Sequence, residues 1–484
     1  MKLLKINSKK IISYLMCLVL LIANTVVLSG CDESSDDEVI VLRVSNWEEY
    51  IDEGDWDEEE TIELENGTVI CSETGMIEDF EVWFYETYGK KVKVEYSTFG
   101  TNEELYNQMS MGDTYDLVCP SEYMIMKMMA EDMLLPFSDS FYDTSIEENY
   151  YSKGVSPYIK GVYDNLSING ECLSKYAAGY MWGTLGIVYN PEEVTEEEAS
   201  HWNMLLMEKF NKRVTIKDSV RDAYFAGNSI YNEDLLMSDE FINADDYFEQ
   251  MEVVLNSTDK QTVDAVEEIL SDIKDNVYSF ETDSGKADMV SGKVVANQQW
   301  SGDVVYTLDQ AEEEGVILCY SAPEEATNLW FDGWCMLKDG IDGDADKQLA
   351  AEAFVNFMSM PENAIRNMWY IGYTSVISGG EDDSIFQYAE FLYSSDDEED
   401  MVPYSTAYFF TGANEANLDE ETLETYTIYT YEDQLNRQLF AQYPPEDVME
   451  RSVVMAYFDK EGNERINQMW LNVRCFDLYE YLFE

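Results

Sequence analysis

Two hydrophobic periods alternate along the chain. Short apolar, β-branched runs recur: "VIVLRVSNW" (Val39–Trp47), "KVKVEYSTF" with Val92, Val94 and Tyr96 on one face, "YDLVCPS", "RVTIKDS" and "GVILCYSAP". A largely apolar run such as the first belongs to a buried parallel strand, whereas the second alternates. Between them lie stretches with helical spacing, among them "EYMIMKMMAEDM", "ADKQLAAEAFVNFMSM" and the terminal "NERINQMWLNVRCFDLYEYLF". Thr101 and Glu104 in "TNEELYNQM" stand at capping-box spacing, which predicts a helix start. Strands alternating with helices predict an α/β fold with ligands bound beyond the carboxyl ends of the strands. "NWEEY", "PSEY", "KDSVRD", "QQWSGD" and "WFDGW" fall at such ends. The methionines of "MIMKMM" read as core. Two acidic segments, Asp52–Asp79 and Glu381–Asp400, read as insertions with solvated faces.

The first thirty residues have a different pattern. Lys2, Lys5, Lys9 and Lys10 precede an apolar run from Ile11 to Leu28, and "LSGC" follows. This resembles a bacterial lipobox. It predicts a signal peptide over 1–30, lipidation of Cys31 and a polar tether over 31–38 that anchors the body to a membrane. The reading places the protein outside the cytoplasm.

Charge narrows the partners. The chain of 484 residues carries 29 basic and 99 acidic side chains, a net charge of −70. Such a field repels phosphate and excludes nucleic acid, while it suits a cationic ligand. Cys17 leaves with the leader. Cys71, Cys119, Cys172, Cys319, Cys335 and Cys475 contain no CxxC pair and read as buried free thiols, several in apolar runs, while an extracellular location also permits a disulfide. His201 is the one histidine, and "SHWNMLL" around it reads as a helix start, so its expected role is structural. No metal or cofactor is implied. A glycosidase-like carboxylate pair would need a fixed separation that nothing in the sequence supplies, so the protein is not read as an enzyme.

The chemistry lies in paired rings and acids. "NWEEY" holds Trp47, Glu48, Glu49 and Tyr50; "QQWSGD" holds Trp300 and Asp303; "NLWFDGW" holds Trp330, Asp332 and Trp334. Aromatic faces attract cations, and carboxylates bind ammonium groups through charge-assisted hydrogen bonds. A box with both elements fits a slender polyamine, its methylenes between rings and its ammonium ends on acids. Trp334 shares a face with Asp332 only if the stretch is regular, and it is read as core.

The order of these motifs resembles the spermidine/putrescine-binding proteins of ABC transporters. The similarity rests on "SNWEEYI", "DLVCPSEYMIMKM", "AGYMWGTLGIVYNPEEV", "DSVRDAYF", "QQWSGDVVYTL", "WFDGWCMLK", "AFVNFMSMPENA" with "IGYTS", and "YPPEDVMERS", collinear from Val39 to near the C-terminus. It implies a two-lobed α/β fold of the type II periplasmic-binding class, with crossing hinge strands closing over the ligand. Lobe one is expected over 39–184 and 333–381, and lobe two over 185–332 and 382–484. The resemblance implies a polyamine ligand, putrescine or spermidine, and the permease subunits of an ABC transporter as partners. It places ligand contacts at Trp47, Glu49, Tyr50, Tyr123, Ser219, Asp222, Trp300, Trp330, Asp332 and Tyr373. Two departures stand out. Ser219 occupies a position where some relatives carry an acid, with Asp218 just before it, and Glu48 replaces a residue that is often small or neutral. A pocket glutamine found in some relatives has no match around "VMERSVVM". The alternatives are a sensory or scaffold lipoprotein, or a receptor for another cationic or amino-acid-like solute.

Overall fold

Parallel strands need helical crossovers that cover their faces, and the chain builds two such parallel sets. The computed structural model describes residues 39–57, 60–395 and 401–475. The leader, Cys31 and the tether lie outside the described residues, as does the acidic run 396–400. The main strands are β1 (Ile40–Trp47), β2 (Val92–Phe99), β3 (Leu117–Val118), β4 (Ala177–Tyr189), β5 (Val214–Lys217), β6 (Ser279–Glu281), β7 (Ala296–Trp300) and β8 (Thr327–Leu337). They form a mixed sheet in the order β6-β5-β7-β4-β8-β3-β1-β2. β1 is parallel to β2 and β3, and β5 is parallel to β6 and β7. These two parallel halves meet through β4 and β8, which pair antiparallel with each other and with their outer neighbours β7 and β3. Every residue of β4 and β8 is buried.

Helices follow the strands: α1 (Asn102–Met111) after β2, α2 (Glu122–Ala130) after β3, and α3 (Val220–Tyr231) with the short α4 (Glu233–Leu236) after β5. α5 (Ser301–Glu313) follows β7, and α6 (Pro361–Ile371) and α7 (Ser384–Tyr393) come after β8. Each half has its own apolar core. Along β4 the core changes hands, with Ala177, Ala178 and Trp182 in the first and Leu185, Ile187 and Tyr189 in the second. Later in the chain, Ile385, Phe386, Tyr404 and Tyr443 pack into the first core and Val453, Ile466 and Val473 into the second, so segment 382–484 serves both.

Several local expectations meet the structure directly. Met124, Met126 and Met128 are buried, and Trp334 is core, packed on Tyr180 and Phe354 at 5.1 and 5.3 Å. The capping box at α1 is half formed: Thr101 Oγ1 accepts from the Glu104 amide, but the Glu104 carboxylate turns to the Gly100 amide at 3.0 Å. Cys119, Cys319 and Cys335 are buried thiols, whereas Cys71, Cys172 and Cys475 are exposed; all six are free. The acidic segments are more than solvated loops. Asp52 is fully buried, its Oδ2 is 2.8 Å from Arg366 of α6, and its Oδ1 accepts from the Trp56 indole. Likewise α7 buries Ile385, Phe386, Tyr388 and Tyr393. In both segments the acids flank apolar positions that pack against the body.

Candidate functional site

β8 supplies the centre of the site. Its ladder with β4 slips between Phe331 and Gly333. This bulge takes Asp332 out of the pairing and turns it toward Ser121 at the entry to α2, with which it forms an isolated bridge. Asp332 is only 5% exposed. Its carboxylate accepts from the Ser121 hydroxyl at 2.7 Å and the Tyr50 hydroxyl at 2.8 Å. No Lys or Arg among the described residues forms an ion pair with it. Burial pushes the Asp332 carboxyl up to about 6. The Ser121 and Tyr50 bonds oppose that shift, as does the nearby Trp47 indole N–H, which makes no hydrogen bond among the described residues. Near neutrality the group is thus a carboxylate held short of a counter-ion.

Rings surround it. Tyr373 lies edge-on to Tyr50 at 5.2 Å and to Trp330 at 5.5 Å between centroids. The Trp330 N–H donates to the Thr184 carbonyl, and Trp47 packs on Phe99 at 4.8 Å. Two glycines allow this approach. A side chain at Gly183 of β4 would strike the Trp330 ring, and one at Gly302 of α5 would enter the Tyr373 ring.

The second half of the sheet contributes from the ends of β5 and β7. Trp300 packs against both apolar cores, and its indole N–H donates to Asp222 Oδ1 at 3.1 Å. Asp222 is buried in the first turn of α3, which raises its carboxyl. Ser219 caps α3 by accepting from the Asp222 amide. Asp303, in the first turn of α5, accepts from the Tyr373 hydroxyl at 2.9 Å and from Lys217 at 3.2 Å. Burial pushes the Asp303 carboxyl up, but Lys217 and then Lys286 outweigh it and hold it below the usual range. Lys217 ends β5 and is 1% exposed. Its ammonium also donates to the Thr282 carbonyl at 3.0 Å, and it stands 4.4 Å from the Trp300 ring centroid. Tyr123, on α2, has its hydroxyl between Asn102 and Glu103, and its ring lies 4.5 Å from the Arg221 guanidinium carbon. Beside it, burial drives the Glu122 carboxyl up to about 8, so that group keeps its proton at neutral pH.

The structure therefore gathers Trp47, Tyr50, Trp330, Asp332 and Tyr373, and links them through Asp303 and Lys217 to Trp300 and Asp222. Glu49 stays outside: it is exposed, with a left-handed backbone at φ 54°. The Ser219 hydroxyl is engaged as a cap, and one face of Tyr123 is taken by Arg221. The sequence reading misses Ser121 and Lys217, and it quotes Asp303 without assigning it to the site. A lysine closing the apolar strand "RVTIK" immediately before "DSVRD" is the signal that was available for Lys217. A separate cavity of about 460 Å³, lined in part by Asp309, Glu312, Trp369 and Gln438, contains none of the ten expected residues.

Residues 75–391 match the family described as bacterial extracellular solute-binding protein, a family of solute capture rather than catalysis. Among curated relatives, spermidine/putrescine-binding periplasmic protein 1 of Haemophilus influenzae is 27% identical over 66% of this chain and 81% of its own length. The putrescine-binding periplasmic protein SpuD of Pseudomonas aeruginosa is 24% identical over 69% and 77%. Among solved structures, the spermidine/putrescine ABC transporter substrate-binding protein PotD of Streptococcus pneumoniae superposes with a TM-score of 0.56 at 26% identity, covering 90% of this chain and 98% of that one.

Proposed function

Because the chain belongs to the bacterial extracellular solute-binding proteins, we propose that it is the capture component of an ABC importer and that it binds a small polyamine between its two halves. The observation that carries this reading is Asp332: a buried carboxylate without a cationic partner among the described residues, ringed by Trp47, Tyr50, Trp330 and Tyr373. A ligand ammonium there completes the charge, and the neighbouring methylenes lie on the rings. The names of the H. influenzae and P. aeruginosa relatives support the same solute class.

The other ammonium-binding positions favour a short ligand. Asp303 already holds Lys217, and Asp222 accepts from Trp300. Ser219 offers no charge. The protein's own ammonium on Lys217 thus takes the place of a second or third ligand ammonium, which favours putrescine or a singly charged amine over spermidine. Lipidation at Cys31 would hold this receptor on the outer face of the cytoplasmic membrane, where it delivers to permease subunits.

Calorimetric titration with putrescine, spermidine, glutamate, maltose and Fe(III) tests the proposal. Heat with the amines alone is expected, and silence with both polyamines at millimolar concentration defeats it. For the anchor, Cys31→Ser is expected to shed the protein from the membrane fraction; full retention there argues against lipidation.

A further inference from the structure

We propose that His201, Glu233 and Glu325, none of them in the aromatic box, form a binding site for a divalent transition metal, with zinc as the best fit to the donors. One nitrogen or oxygen from each lies within 4.8 Å of the others, and among the described residues this is the one such grouping of His, Cys, Asp or Glu side chains. His201 Nδ1 is 3.1 Å from Glu325 Oε1. Tetrahedral zinc, with bonds of roughly 2.0–2.1 Å to nitrogen and oxygen, places neighbouring ligand atoms about 3.3 Å apart, so this pair already has the spacing of two ligands on one ion. Glu233 is partly exposed, and one of its carboxylate oxygens already lies within 4.8 Å of the other two donors.

The second observation is the other oxygen of Glu325. The residue is 1% exposed, and Oε2 is buried with no hydrogen-bond partner. A simple His–Glu pair leaves that oxygen unsatisfied, at a cost of about 1–3 kcal/mol or more for a charged group. A metal ion bound through both oxygens of the carboxylate removes this deficit. The donor set of one imidazole and two carboxylates, with a place left for water, suits zinc better than calcium, which prefers more oxygens.

The frame is built before any ion arrives. The Glu324 amide donates to the Ser200 carbonyl at 2.8 Å, and the Trp202 indole donates to the Ala326 carbonyl at 2.9 Å. Asn203 holds the Glu233 carboxylate. An ion here would tie the turn at 200–203 and the start of α4 to the entry of β8, the strand that carries Trp330 and Asp332. It is a brace for the second half rather than part of the ligand site.

The test uses the whole protein and cobalt(II) as a spectroscopic stand-in, with zinc measured by competition against a chromogenic chelator. The strongly negative surface binds metal weakly at many places, so the readout is one tight equivalent with the intense visible absorption of tetrahedral cobalt. His201→Ala and the partly exposed Glu233→Gln, which leave the buried carboxylate in place, are each expected to lose at least tenfold in affinity for that equivalent. Putrescine binding is expected to remain unchanged in both. Parental affinity in both variants, or the absence of any tetrahedral cobalt band from the parent, overturns the site.

Discussion

The Lys217 ammonium stands 4.4 Å from the centre of the Trp300 indole, so the protein's own cation covers a ring face that the sequence offers to a ligand. Lys217→Met removes that ammonium with little change in volume. The variant leaves Asp303, and Glu281 at 3.6 Å from the same ammonium, short of a buried partner, and it should lose stability by about 3–5 kcal/mol on the scale of a broken buried pair. Spermidine should restore part of that loss and gain at least tenfold over putrescine relative to the parent. Thermal shift and calorimetry with both amines decide it; an unchanged ranking removes Lys217 from specificity.

Asp332 is expected to behave in the opposite way. Asp332→Asn keeps the shape and the Ser121 contact but withdraws the charge that meets the ligand ammonium. Binding should weaken by about 1.5–3 kcal/mol, the value of a charge-assisted bond. The ligand-free variant should melt no lower than the parent, because a buried uncompensated charge has gone. A parental Kd in the variant would exclude this contact.

The pH dependence follows from the same group. With its carboxyl near 6, Asp332 is ionised above neutrality and affinity should be flat there. Below pH 6 the ligand competes with a proton, and affinity should fall by up to tenfold per unit. For stability the sign is reversed from ordinary acid denaturation. The folded carboxyls of Asp332 (about 6) and Glu122 (about 8) lie above their unfolded values near 4. Their contribution is therefore present below pH 4 and is lost as pH rises through 6 and 8. Asp332→Asn and Glu122→Gln should each flatten part of that slope in urea titrations of the ligand-free protein. Parallel slopes in parent and variants would contradict the assignment.

The buried pair between Asp52 and Arg366 gives a prediction about the acidic segment. Asp52→Ala strands a nearly buried guanidinium that also serves Asp79 and Ser72. Equilibrium unfolding should show a loss of about 3–5 kcal/mol. A loss below 1 kcal/mol would return the segment to the status of a dispensable insertion.

Much of the fold is visible in one dimension because strand burial leaves a local pattern. Val39–Trp47 is largely apolar, and Val92–Phe99 alternates because only one of its faces is covered. Asp332 and its flanking rings are equally legible, since an acid between tryptophans is an anomaly that composition alone does not explain. Acidic runs mislead for the converse reason. Their charge hides Ile62, Leu64, Ile70 and Met76 in the first segment and the apolar positions of α7 in the second, which pack against the body.

The two-period pattern, the acid-and-ring vocabulary and the family order of motifs can all be read along the chain, because hydrophobic period and side-chain chemistry are local properties. Which charges are already paired emerges only on folding. Lys217 and Asp303 are 86 residues apart, and so is the answer to which carboxylate still lacks a cation. Counter-ions are chosen by distance in space and by burial, and neither quantity can be read along a chain.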